Sequence, residues 1–126
     1  MPIVELTIQS GCRDEDIAAC MKAITASIAG NLENTLPRMV RVTVTEVEQK
    51  YILQGSAHPQ GAAPTVMFQL GPGRSDEMIE KTLQEIVQAI HTHLGAPEDE
   101  IRVYLNMITG DSFSIGGKVK DFGKQP

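Results

Sequence analysis

Apolar and polar side chains alternate from Ile3 to Ile8, with Val4, Leu6 and Ile8 on one side and Glu5 and Thr7 on the other. That two-residue period predicts a half-buried strand over residues 3–9. The period then lengthens. Ile17, Cys20, Met21, Ile24, Ile28 and Leu32 fall on one stripe of a helix over residues 14–32. Val40, Val42 and Val44 then alternate with Arg41, Thr43 and Thr45, which returns the chain to a strand. The same order recurs. Residues 65–70 predict a strand, and Ile79, Leu83, Ile86, Val87, Ile90 and Leu94 stripe a helix over 76–94. Val103, Leu105 and Met107 alternate with Arg102, Tyr104 and Asn106. Asp14, and Ser75 or Asp76, suit the N-caps, and Gly95 followed by Pro97 ends the second helix.

The two passes are copies of one pattern, running from about residue 2 to 56 and from about 64 to 118. Pro2 pairs with Pro64, and Gly11, Asp14 and Glu15 pair with Gly73, Asp76 and Glu77 at the same offset. Val40-Arg41-Val42 pairs with Ile101-Arg102-Val103, one residue out of step. A strand-helix-strand unit of this length forms a parallel pair through a right-handed crossover. Two tandem βαβ units predict an α/β fold (α+β in some schemes), with a four-stranded sheet and two helices on one face. Residues 1–126 are expected to form a single domain, with a Gly/Pro/polar linker at about 54–63. The other sheet face is expected to carry Met67, Leu70 and further moderately apolar residues. Left uncovered it would be a large patch, so oligomerisation is expected to bury it.

Composition narrows the function classes. With 126 residues the chain can bury a real core, and 41% hydrophobic and 21% charged residues are ordinary for a globular protein. No apolar run approaches a membrane span, and Glu5 interrupts the first apolar stretch, which argues against a signal peptide. Cys12 and Cys20 lack metal-like spacing and read as free thiols of a cytoplasmic protein. His91 and His93 are two apart and cannot share a helix face, and no zinc, P-loop or dinucleotide motif is present, so no metal and no cofactor is expected. A net charge of −5 argues against nucleic acid as a partner but leaves room for a small anionic substrate.

Pro2 is the chemical centre of this reading. Trimming of Met1 would leave a secondary amine at the start of a strand. A free α-amino group titrates at about 7.7–8.0, and desolvation or nearby cations lower it further. Such a base suits general acid–base catalysis near neutral pH. A retained Met1 would instead turn the Pro2 nitrogen into an amide with no basic lone pair.

These features together resemble the tautomerase superfamily, whose members are built from βαβ units and use an amino-terminal proline as base. Gly73-Arg74-Ser75-Asp76-Glu77, Leu94-Gly95-Ala96-Pro97, Val103 and Phe113-Ser114-Ile115-Gly116-Gly117 fall at the spacing of 4-oxalocrotonate tautomerase. The double length is similar to fused members such as cis-3-chloroacrylic acid dehalogenase and malonate semialdehyde decarboxylase, which are trimers. The resemblance implies Pro2, Arg74 and Arg102 as catalytic residues, with Arg41, Arg13, Phe113 and Tyr104 on the substrate. It also implies a homotrimer acting on a small 2-oxo acid or its enol.

Each side chain also has a plainer reading. Arg41 and Arg102 could be polar-face residues of half-exposed strands, and Arg74 could pair with Asp76 or Glu77. Phe113 could anchor a hairpin, and Tyr104 could simply pack. The first copy departs from the family pattern. Cys12 stands where the loop arginine belongs, with Arg13 one place later, and Ile52 stands at the aromatic position. Pro64 is internal, and its amide nitrogen cannot act as a base. One site per chain is therefore expected. Two alternatives stay open: hydration, dehalogenation or decarboxylation of a three-carbon acid on the same fold, or a non-catalytic binding protein.

Overall fold

The computed structural model describes residues 2–109 and 111–119. Both units form as the periodicities require. β1 spans Ile3–Gln9, α1 Asp14–Asn31 and β2 Arg41–Val47; β3 spans Thr65–Leu70, α2 Asp76–Leu94 and β4 Arg102–Met107. The sheet order is β2-β1-β3-β4. β1 runs parallel to β2 and β3 parallel to β4, as helical crossovers demand. The two units meet through an antiparallel pairing of β1 with β3, in which Ile3 faces Gln69 and Thr7 faces Thr65. Beyond β4, Ser114–Ile115 (β5) and Lys118–Val119 (β6) form a separate two-stranded hairpin. Among the described residues, no helix is long and apolar enough to cross a membrane.

The core lies between the sheet and its two helices. Val4, Leu6, Ile8, Val66, Phe68 and Leu70 point from the sheet toward Cys20, Ile24, Ile28, Ile86 and Ile90. Strand parity corrects one expectation. Leu70 shares the inward phase of Val66 and Phe68 and is 1% exposed, so it belongs to this core. The outward face carries half-exposed Met67 and Tyr104, which lie side by side, together with Thr43, Glu5, Arg41 and Arg102. It is more polar than the sequence reading held.

Local chemistry fixes the helix ends. Ser75 caps α2 by accepting the Met78 N–H at 3.2 Å. Gly95 closes α2 in the left-handed region at φ 77°, where a side chain would be strained. Asp14 is not the cap of α1: Arg13 holds that position without a side-chain cap bond, and Asp14 begins the helix proper. Carboxylates still fill the first turn of α1, where the helix dipole favours them. The linker is tied down by its own hydrogen bonds. Gln9 Oε1 accepts from Ala62 N at 2.7 Å, and Gln49 Nε2 donates to His58 O at 3.0 Å.

Phe68 is fully buried at the centre of the β3 pairing. Phe68→Ala should lower the unfolding free energy by about 3–5 kcal/mol in a denaturant titration. A loss below about 1 kcal/mol would contradict this placement of the core.

Candidate functional site at the Pro2 end of the sheet

The antiparallel β1–β3 pairing decides which loops meet. The start of β1 lies beside the end of β3, so Pro2 is brought to the loop that leads from β3 into α2. Pro2 is buried, and its carbonyl accepts the Arg41 N–H at 3.1 Å, which holds the chain start against β2. At the same end the Ile108 N–H reaches the Leu70 carbonyl at 2.8 Å. From there the chain turns through buried Gly71, then Pro72, and through Gly73 at φ 103°, a value that only glycine adopts without strain. This turn sends Arg74 back over its own loop. Arg74 Nη1 donates to the carbonyls of Gly71 (3.1 Å) and Pro72 (3.4 Å), and Nη2 donates to Thr35 Oγ1 (3.4 Å). Among the described residues, Arg74 makes no ion pair with Asp76 or Glu77, so the plainer reading of this side chain does not hold.

Arg41 opens β2 at this end, with its side chain on the outward face. Phe113 is half-buried at the foot of the β5–β6 hairpin, which follows β4 in the chain. Tyr104 lies mid-strand on the outward face, 49% exposed, away from the strand ends.

Arg102 and Arg13 occupy the opposite end. Arg102 opens β4 beside Thr65, and its N–H reaches the Pro64 carbonyl at 3.5 Å. From Arg102 to Met107, the β4 residue level with Leu70, the strand runs about 17 Å at roughly 3.3 Å per residue. Within one chain, then, Arg102 and Pro2 are not brought together. Arg13 is turned onto the first turn of α1, paired with Glu15 at 3.0 Å and Asp16 at 3.4 Å, and is 68% exposed.

The Pro64 end holds a cavity of about 370 Å³ lined by Gly11, Cys12, Ala62, Pro64, Leu94 and Ala96. Burial, then the charges of Glu46 and Asp16, push the Cys12 thiol above its ordinary 9.0. Cys12 is therefore a neutral thiol at pH 7, which argues against a nucleophilic role. No group of three His, Cys, Asp or Glu among the described residues is arranged to hold a metal.

Comparison with known proteins decides the family. A probable tautomerase of Lactiplantibacillus plantarum is 32% identical over 57 residues, 45% of this chain and 89% of the relative. The chain belongs to the tautomerase superfamily. A 2-hydroxymuconate tautomerase of Pseudomonas putida is 34% identical over 56 residues, 44% of this chain and 89% of its own. Each of these tautomerases is thus matched over nearly its whole length by less than half of this one. No protein-family model matches the sequence. Solved structures share the doubled fold. F6 fused 4-OT, an asymmetric trimer, superposes with a TM-score of 0.85 at 23% identity, covering 93% of this chain and 94% of that one. A member of the cis-3-chloroacrylic acid dehalogenase family superposes with a TM-score of 0.80 at 16% identity, covering 98% of this chain and 92% of that one. These likenesses establish the tautomerase fold, and the two sequence relatives place isomerase chemistry at the level of the family.

Sequence reasoning missed Thr35. It is 7% exposed between α1 and β2, and its contact with Arg74 joins residues far apart in the chain.

The raised Cys12 pKa has a measurable consequence. Alkylation of Cys12 by iodoacetamide at pH 7 should be slower than that of a cysteine in an unstructured peptide. Its rate should climb with a midpoint above 9.0. A faster reaction at pH 7 would mean that Arg13 activates the thiol.

Proposed function

We propose that this chain is a keto–enol tautomerase of a small 2-oxo acid or its enol, with Pro2 as the proton shuttle. The observation that carries the reading is that the β1–β3 pairing brings Pro2 to the same end of the sheet as the loop that holds a braced arginine, Arg74. A tautomerisation needs one group to lift a proton from the enol oxygen while a proton is delivered to the neighbouring carbon, or the reverse. A secondary amine of lowered pKa does both in turn. Arg74 binds the substrate carboxylate and stabilises charge developing on the oxygen.

The remaining arginines take parts that follow from their placement. Arg41 stands on the outward face at the Pro2 end. Arg102, at the far end of the same sheet, serves a Pro2 only across a boundary between copies. A homotrimer supplies that boundary, and fused 4-OT relatives of the same fold are trimers. Phe113 excludes water and lowers the proline pKa by desolvation, and Tyr104 faces the neighbouring copy. Arg13, engaged on its own helix, takes no part.

Met1 lies outside the described residues, so its fate is read in solution. The intact mass of protein purified without an amino-terminal tag should lack the initiator Met. That protein should ketonise phenylenolpyruvate, and Pro2→Ala should lower kcat by at least about a hundredfold with the fold intact. Unchanged turnover in Pro2→Ala would contradict the proposal. So would turnover of 3-haloacrylates or malonate semialdehyde faster than any enol.

A further inference from the structure

The two ends of the sheet are related by the internal repeat, so each is a control for the other. The pairing is fixed by backbone as well as by sequence. Asn34 has φ 61° and Gly95 has φ 77°, and each lies seven residues before the arginine that opens the second strand of its unit. Asn34 is the one non-glycine residue with positive φ among the described residues. Thr35 follows Asn34 as Ala96 follows Gly95. The position of Arg74 in the second copy is that of Cys12 in the first, counted from Pro64 and Pro2.

Two positions on different elements therefore change together. At the Pro2 end the pair is Arg74 with Thr35, joined by a hydrogen bond. At the Pro64 end the pair is Cys12 with Ala96, and both line one cavity. The sheet end that has a usable proline has the arginine and a hydroxyl for that arginine. The end whose proline is an internal amide has neither.

The local chemistry explains the coupling. Thr35 and Thr82 are the two buried polar residues among those described. The Thr82 hydroxyl is satisfied within its own helix by the Met78 carbonyl at 2.7 Å. The Thr35 hydroxyl donates to the Glu33 carbonyl at 3.4 Å, which turns its lone pairs toward Arg74 Nη2. Arg74 is then held on two sides, by the Gly71 and Pro72 carbonyls through Nη1 and by Thr35 through Nη2. A long, rotamer-rich side chain fixed before the ligand arrives loses less entropy on binding it.

We propose that Thr35 is a positioning residue that fixes Arg74 for the substrate carboxylate. This rests on the tautomerase reading above for the identity of the ligand. Thr35 does not touch the reacting atoms, and its effect passes through Arg74.

Steady-state ketonisation of phenylenolpyruvate by the full chain, with Thr35→Val, Thr35→Ser, Arg74→Ala and the Thr35→Val/Arg74→Ala double variant, tests it. Thr35→Val keeps the shape and removes the hydroxyl. It should raise KM about fivefold to twentyfold, with a smaller fall in kcat. Thr35→Ser should restore KM to within about twofold, and Thr35→Val should add nothing in the Arg74→Ala background. An unchanged KM in Thr35→Val would overturn the proposal. So would an equal defect in Thr35→Ser, or a full additional loss in the double variant. Thr35→Ala replaces Thr35→Val if the latter does not fold. A wild-type chain that fails to ketonise the enol sinks the tautomerase reading alone. Calorimetric titration with phenylpyruvate then decides the role of Thr35: weaker binding in Thr35→Val, rescued by Thr35→Ser, upholds it. Equal binding, or no binding by wild type, overturns it.

Discussion

The antiparallel pairing of β1 with β3 is the constraint on which the site depends. Each βαβ unit by itself places the start of its first strand at the opposite end of the sheet from its own strand-to-helix loop, a strand length away. Only an antiparallel junction returns a loop to a chain start, and the loop it returns belongs to the other unit. Pro2 of the first unit thus meets the Arg74 loop of the second. The same pairing sends Pro64 to the Cys12 loop. Two ends of equal backbone geometry result, and the chain equips them differently.

In the proposed reading, that difference divides labour within the duplicated fold. A backbone amine exists only at a chain start, so the Pro64 nitrogen is no base whatever surrounds it. The arginine, the hydroxyl that braces it and the glycine turn that aims it all stand at the Pro2 end. At the Pro64 end the loop arginine is a neutral cysteine, and the structured linker lies over the cavity wall through Gly61 and Ala62. In the proposed enzyme the second unit supplies the anion site and the first supplies the base.

Much of the fold was legible because its signals are local. Period two at Val4, Leu6 and Ile8 and the helical stripe through Ile24 and Ile28 report burial of one face, and burial follows from those side chains alone. The repeat was legible for the same reason. The errors were also local. Leu70 was placed by its neighbour Met67, although strand parity sets them on opposite faces. Asp14 suits a cap by its residue type, whereas the chain turns one residue earlier. What periodicity cannot carry is the direction in which two units join. The separation of Arg102 from Pro2 within a chain, and the contact of Thr35 with Arg74, appear only once β1 and β3 are known to be antiparallel.

The central claim is that Pro2 carries a titrating amine beside Arg74. Its most direct test is a pH titration of the Pro2 nitrogen by NMR, on protein labelled with ¹⁵N-proline and made without an amino-terminal tag. The account predicts a single titrating nitrogen with a pKa below the roughly 7.7–8.0 of a free α-amino group, moved upward by Phe113→Ala, which would rehydrate the site. A Pro2 nitrogen that behaves as an amide at every pH would contradict it.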